Sequence, residues 1–370
     1  MSQDSDNTLV TAASVDSLNL NHRKIAVLTD GYSTPFVAKT AISLLRYRTA
    51  DVVAVIDQSV EQRNAEALFG VGGQIPVVNG LAELKDVDSL YIGIAPPGGK
   101  LPVAWRPIIL EALHRGMDVV SGLHDFLTDD EAYRQAAARS GSRLIDVRRN
   151  RLKETATAHR FRPGCVRIHT VGHDCSIGKM VTSLETQRGL VSAGHDAAFL
   201  ATGQTGIMIS GQGVPIDCVV ADFVSGAAEQ LAIANEHHDF LLVEGQGSIS
   251  HPAFSAVTLG LLHGVAADGL IFCYEAGRTQ VKGLDHVDIP AMEDQMAACL
   301  ALANLRHPCK FIGVAINTRK LDTNEALREI ETTQSRLGLP TCDVFRTGAD
   351  RLVDACLKRR AELYPESLGQ

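Results

Sequence analysis

Residues 172–179 read Gly-His-Asp-Cys-Ser-Ile-Gly-Lys, and they constrain the fold more than any other stretch of the chain. An apolar run, 165–170 (CVRIHT), leads into them, and a stretch with helical patterning follows to about residue 193. A strand feeding a glycine-bounded loop that opens a helix at a lysine is the context of a phosphate-binding loop. The glycines let backbone N–H groups converge on an anion, and the helix N-terminus adds partial positive charge. Lys179 supplies a full one. The candidate phosphate contacts are therefore Gly172, Asp174, Cys175, Ser176, Ile177, Gly178, Lys179 and Met180.

Two departures from G-x-x-x-x-G-K-[ST] matter. The glycines stand one residue further apart, a form that resembles the loop of dethiobiotin synthetase and its ATP-using relatives. Met180 occupies the place of the hydroxyl that holds Mg²⁺ in phosphoryl-transfer enzymes. A thioether is a poor ligand for a hard cation, and Thr182, two residues further along the helix, faces elsewhere. The loop keeps the phosphate cradle and drops the metal anchor. Phosphate binding without phosphoryl transfer, and without a metal, is the expectation. Cys175 sits by a helix N-terminus and Lys179, which would lower a thiol pKa, but a phosphate in the cradle competes with any covalent role.

The rest of the chain supplies the sheet that such a loop needs. Around the loop, buried-strand candidates are 165–170, 197–201, 218–221, 240–243, 269–274 and 311–317, with helices over 178–193, 226–236, 291–303 and 324–337. The first half shows a similar series: apolar runs at 24–29, 51–56, 90–95, 118–121 and 144–147, with helices over 34–47 and 106–115. Strands alternating with helices at this spacing imply βαβ units and parallel sheets. A length of 370 residues exceeds one ordinary core. The expected class is α/β in two domains: a polar tail over 1–22, a Rossmann-like parallel sheet over 23–150, a linker over 151–164, and a P-loop NTPase-like parallel sheet over 165–370.

Composition narrows the function classes. Hydrophobic residues make up 45% and charged ones 21%, which is globular, and the net charge of −8 gives no footprint for nucleic acid or an anionic membrane. Arg148, Arg149, Arg151 and Lys153 form a local basic patch, either a solvated linker or an anion site. No stretch approaches the roughly 20 apolar residues that span a bilayer. The N-terminus reads as no targeting segment. Eight cysteines include no Cys-x-x-Cys pair, the usage of buried thiols in a reducing compartment, so the expected location is the cytoplasm.

Further motifs end strands of the second half, where ligands of open parallel sheets sit. Residues 201–206 (ATGQTG) place Gln204 and Thr205 among glycines, either at a ligand or in a plain turn. Asp222 and Ser225 open 222–226 (DFVSG), where Asp222 either acts chemically or caps the next helix. An apolar strand delivers Glu244 to 241–248 (LLVEGQGS) beside Gly245, Gln246 and Gly247. There it would hold Mg²⁺ or, in a dry site with a raised pKa, act as a general base; the rival is a salt-bridged structural glutamate. His251 follows in a loop bordering the same cleft. Arg278 is either a bidentate partner for a substrate carboxylate or a surface arginine. Asn317 ends the strand 311–317.

The first half carries weaker signals. Its first turn lacks G-x-G-x-x-G, and Asp57 alone, at the end of the second strand, makes no dinucleotide fingerprint. Residues 92–100 (IGIAPPGGK) with 118–121 resemble the small CoA-binding domain of the succinyl-CoA ligase type, or form a turn after two prolines.

Taken in order, GHDCSIGKM, ATGQTG, DFVSGAAE, VEGQGSISHPAFS and LGLLHG resemble the D-glutamate N-acetyltransferase family, formerly a domain of unknown function. With the Rossmann-like first half, the resemblance covers the chain after residue 22. It implies acetyl transfer from acetyl-CoA to the amino group of D-glutamate, a small-molecule substrate. CoA phosphates would lie on 172–179, and Asn317 against the adenine, as in dethiobiotin-synthetase-like proteins. Glu244, His251 and Asp222 are then the catalytic candidates, and Gln204, Thr205, Ser225, Gln246 and Arg278 the substrate contacts. A homo-oligomer is expected. The competing readings are an ATP- and Mg²⁺-dependent ligase or kinase of the dethiobiotin synthetase type, and a non-catalytic CoA or nucleotide sensor.

Overall fold

The computed structural model describes residues 9–12, 18 and 20–365, so most of the tail expected over 1–22 lies outside the described residues. The chain divides into two compact units, Met1–Arg151 with Gln204–Cys218, and Leu152–Gly203 with Val219–Gln370.

In the first unit, strands β1 (Leu9–Ala12), β2 (Ile25–Leu28), β3 (Val52–Ile56), β4 (Val77–Val78), β5 (Ser89–Ile92), β6 (Asp118–Ser121) and β7 (Leu144–Asn150) form a parallel sheet. Its order is β1-β7-β6-β5-β2-β3-β4. The connections carry α1 (Lys39–Tyr47), α2 (Ala65–Phe69), α3 (Arg106–His114) and α4 (Glu131–Ser140). Strands β2 and β5 are wholly buried, as expected of strands with helices on both faces. Helix α1 begins five residues later than its pattern suggests, because residues 34–38 form turns after Ser33. Asp57 is spent on its own turn, accepting the N–H groups of Gly31 (3.2 Å) and Ser59 (2.9 Å). The Pro96–Gly99 stretch is a turn: Gly99 has φ +61°, and a Cβ there would lie 2.5 Å from the His124 ring.

In the second unit, β8 (Val166–Gly172), β9 (Ala197–Leu200), β10 (Phe240–Val243), β11 (Gly269–Glu275), β12 (Gln280–Val281), β13 (Leu284–Asp288), β14 (Lys310–Asn317) and β15 (Thr341–Cys342) alternate with helices. These are α5 (Lys179–Ser192), α7 (Val224–Asn235), α8 (Ser255–Val265), α9 (Met292–Asn304), α10 (Thr323–Leu337) and α11 (Asp350–Leu363), while α6 (Gln204–Ser210) falls between β9 and β10 in the sequence. Strands β12 and β13 pair as an antiparallel hairpin; the others form a parallel sheet in the order β15-β14-β11-β8-β10-β9. The chain leaves β8 toward one edge, fills in β10, and then crosses to β11 on the other side. The carboxyl ends of β8, β10 and β11 thus meet at the reversal of strand order, where open α/β sheets bind ligands.

Helix α6 lies in the second half of the sequence but belongs to the first unit. Thr205 Oγ1 lies 2.9 Å from Thr40 Oγ1, Arg148 donates to Gln204 Oε1 at 2.8 Å, and Arg48 donates to the Met208 carbonyl at 3.2 Å. The strand expected over 218–221 is absent. Ile216–Cys218 and Ala221–Phe223 are 3₁₀ turns of the returning connection, and Val220 is 65% exposed. A short apolar run does not by itself reveal whether it finds a pairing partner. Arg148 and Arg149 of the basic patch serve the fold: Arg148 pairs with Asp217 at 2.8 Å, and Arg149 stacks over Phe126.

Residues 151–162 have no regular structure, yet they are anchored on α7. Glu229, fully buried, accepts the N–H groups of Thr157 (2.6 Å) and His159 (2.9 Å). Gly226 lets the segment cross, since a Cβ there would lie 1.9 Å from the Glu154 carbonyl.

Candidate functional site

The loop after β8 is shaped by its glycines and one acid. A Cβ on Gly172 would sit 2.4 Å from the Cys273 carbonyl, so only glycine lets β8 end beside β11. Gly178, at φ +115°, turns the chain into α5, and Ser176 also adopts positive φ. The first N–H groups of α5 have no intrahelical acceptor and face an incoming anion. Asp174, with no solvent exposure, ties the loop down. Its carboxylate accepts the N–H groups of Cys175 (2.7 Å) and Lys282 (2.9 Å) and pairs with Arg278 (2.8 Å). Burial alone would raise its pKa, but these partners outweigh burial and hold the carboxyl below its ordinary value.

Lys179 is 6% exposed and donates to the Asp174 carbonyl at 2.7 Å. Burial lowers its pKa against the opposing fields of Cys175, Cys273, Asp174 and Glu244. A buried ammonium held by one carbonyl is electrostatically short of an anion. Met180 is half-buried, and Thr182 Oγ1 lies 3.7 Å from Cys273 Sγ.

Glu244 follows β10 and is 4% exposed. Its Oε2 accepts the N–H groups of Thr202 (2.9 Å) and Gly203 (3.1 Å), and its Oε1 accepts from Gln246 Nε2 (3.0 Å). These donors exist there because β9 and β10 pair with Leu200 opposite Val243. Gly245 brings β10 against the loop strand: a Cβ would lie 1.8 Å from the Thr170 carbonyl and 2.9 Å from Lys179 Cδ.

His251 is 4% exposed. The Ala253 N–H donates to its Nδ1 at 3.1 Å, so the neutral ring carries its proton on Nε2, which faces Asp174 at 3.9 Å. Burial lowers its pKa. Among the described residues, Asp174, Cys175 and His251 are the group whose ligand-type atoms, all within 4.8 Å of one another, could hold a metal ion.

Around the loop runs a charged ring of which sequence reasoning picked out Arg278 alone. Glu275 ends β11 with a wholly buried side chain surrounded by Arg278 (2.6 Å), Arg319 (3.0 Å) and Lys320 (2.7 Å). Burial would raise its pKa, but these cations prevail and lower it. His173 Nε2 accepts the Glu275 N–H at 3.0 Å, and burial pushes its pKa down to about 4. Nothing in 275–282 or 318–320 signals this ring locally, because its members come from separate loops. Arg278, whose side chain is 9% exposed, gives its terminal nitrogens to Asp174, the Cys175 carbonyl and Glu275.

Gln204 and Thr205 are bonded within the first unit. Asp222 is exposed and caps no helix; Phe223 is the N-cap of α7 and receives no side-chain cap. Ser225 lies at the crossing of α7 and α8, where a Cβ on Gly264 would meet its carbonyl at 2.2 Å. Asn317 is half-buried and accepts the Arg319 N–H at 3.2 Å.

Comparisons with known proteins match both halves. Residues 154–353 match the family described as "Domain of unknown function (DUF1611_C) P-loop domain", and residues 58–150 match "Domain of unknown function (DUF1611_N) Rossmann-like domain". A curated relative from Tritonibacter scottomollicae, named D-glutamate N-acetyltransferase, is 40% identical over 275 residues, 74% of this chain and 82% of that protein. One of the same name from a Pseudoalteromonas species is 41% identical over 266 residues, covering 72% and 80%. The crystal structure of a DUF1611 family protein from Anabaena variabilis ATCC 29413 superposes with a TM-score of 0.85 at 35% identity, over 91% of this chain and 100% of that one.

Proposed function

This chain belongs to the DUF1611 family, and from that premise we propose that it moves an acetyl group from acetyl-CoA to the amino group of D-glutamate. The observation that carries the reading is the buried carboxylate of Glu244, held by three N–H donors beside the buried cation of the phosphate loop. CoA brings a pyrophosphate that suits the N–H groups of 176–180 and the Lys179 ammonium, and neither contact needs Mg²⁺. Arg319 and Lys320, exposed beside Glu275, are the candidates for its ribose 3′-phosphate.

Glu244 then serves as general base. It takes a proton from the substrate ammonium, the amine nitrogen attacks the thioester carbonyl, and the C–N bond forms. The C–S bond breaks as the tetrahedral intermediate collapses, and CoA leaves as a thiolate that takes up the second proton, which the nitrogen sheds as it becomes the amide. His251, with its proton on Nε2, is a donor suited to the developing oxyanion rather than a base. Arg278 acts through the loop it ties down. Asp222 has no part in this scheme.

The metal-dependent alternative is favoured by the Asp174, Cys175 and His251 cluster. Asp174, however, already carries two N–H donors and a guanidinium. One experiment separates the readings. Glu244→Gln should lower turnover about 10²–10⁴-fold with acetyl-CoA affinity nearly intact, and wild-type activity should persist in EDTA. Loss of activity in EDTA, restored by Mg²⁺ or by a metal suited to thiol and imidazole ligands such as Zn²⁺, would overturn the base assignment in favour of the metal.

A further inference from the structure

The amino-terminal end of the second sheet, opposite the phosphate loop, carries a cavity of about 560 Å³, within the size range of small-molecule sites. It opens where β8 and β11 begin, between residues 158–163, the loop after α9 and the end of α11. Along β8 this is roughly 20 Å from the phosphate loop. Arg160, Arg162, Arg167, Arg306 and Arg359 line it against one lining carboxylate, Asp268.

Three of the arginines are already used. Arg167 grips Asp268 through two nitrogens (3.0 and 2.9 Å) and lies over Phe161, while His307 shares the same carboxylate at 2.9 Å. Arg162 donates to the carbonyls of Glu236, His237 and His238. Arg359 donates to the Asp268 carbonyl and pairs with Glu362.

Two keep donors without a hydrogen bond. Arg306 Nη2 is out of contact with solvent and makes no hydrogen bond. Its ion-pair partner Glu229 stands 3.7 Å away, beyond hydrogen-bond reach, with both oxygens taken by Thr157 and His159. Arg160 is exposed on the cavity wall and makes no hydrogen bond or ion pair among the described residues. A buried guanidinium nitrogen without an acceptor costs free energy that a bound anion would recover.

We infer that this cavity is a second ligand site, in which Arg306 and Arg160 bind a small molecule bearing phosphate or carboxylate groups. The planar fork of arginine matches both groups, and the excess of guanidinium over carboxylate on the walls selects an anion.

Calorimetric titration of the full chain with pyrophosphate, and separately with citrate, tests this. The titration uses Lys179→Ala, which disables the phosphate loop, with and without Arg160→Ala and Arg306→Ala. Lys179→Ala should still bind at least one probe. Adding both arginine changes should weaken that binding at least about tenfold. Because Arg160 is exposed, Arg160→Ala alone leaves the fold intact and should weaken binding measurably. Retained pyrophosphate binding would identify a phosphate ligand, and retained citrate binding a carboxylate. Absence of binding by both probes in Lys179→Ala, or equal affinity with and without the arginines, would overturn the site.

Discussion

Glu244 and His251 are both buried polar groups at the rim of the loop, yet their hydrogen bonds assign them different work. Each carboxylate oxygen has two lone pairs, so Glu244 can take a proton on Oε1 beside the bond from Gln246. The acceptor nitrogen of His251 is occupied by the Ala253 N–H, which leaves it a donor. Cys175 lies within 4.8 Å of the His251 and Asp174 ligand atoms, and this raises the question of an acetyl-cysteine. If acetyl passes directly to the amine, Cys175→Ser keeps most activity and initial-rate kinetics stay sequential. Ping-pong kinetics, with an acetylated Cys175 caught by mass spectrometry, would refute direct transfer. Arg319 and Lys320 yield a sharper test of the CoA assignment. Replacing both with alanine should raise KM for acetyl-CoA roughly tenfold, through lost charge-assisted bonds to the 3′-phosphate. Acetyl-3′-dephospho-CoA, which lacks that phosphate, should show nearly the same KM with both proteins; equal effects on the two donors would sink the assignment.

At the scale of elements, close approaches between backbones explain several motifs. Helices α7 and α8 cross where a Cβ on Gly260 would meet Val224 at 2.2 Å and one on Gly264 would meet the Ser225 carbonyl at the same distance. Gly264→Ala should therefore destabilise the protein by about 1–3 kcal/mol, read from denaturant unfolding, while KM for acetyl-CoA stays unchanged. A shift in KM without a shift in stability would place this crossing in the site instead. DFVSGAAE and LGLLHG thus carry packing contacts, with Glu229 holding the incoming segment. In the sequence they look the same as site motifs, because glycine serves close packing and ligand approach alike. The phosphate loop was legible because strand, glycines, lysine and helix are local. Glu244 was legible as an acid at a strand end, but its donors Thr202 and Gly203 depend on the register of β9 with β10. Glu275 stayed hidden because its three cations arrive from two separate loops, and α6 because its attachments, such as Thr40 to Thr205, span most of the chain's first half.

The whole molecule's response to acid follows from where its histidines lie. His169, inside β8, is fully buried; its Nδ1 faces the Val243 carbonyl at 3.3 Å and its Nε2 has no hydrogen-bond partner. Burial pushes its pKa from 6.5 down to about 4, as it does for His173 just beyond the same strand. Between those values the unfolded chain binds protons that the folded chain refuses, so stability falls as pH drops through the window and is fully present above 6.5. Crossing the whole window costs about 3 kcal/mol for each histidine. The carboxylates with lowered pKa values act later. Asp174, Asp268 and Glu275 give up their contributions only as pH falls from their unfolded values, near 4, toward their lower folded ones. Early acid sensitivity is thus assigned to β8. Urea midpoints measured from pH 7.5 to 4.5 should fall for the wild type. They should fall much less for His169→Gln/His173→Gln, whose neutral amides titrate in neither state. An unchanged pH slope in the double variant would remove these histidines as the cause and point to His251 and His124, whose pKa values burial also lowers.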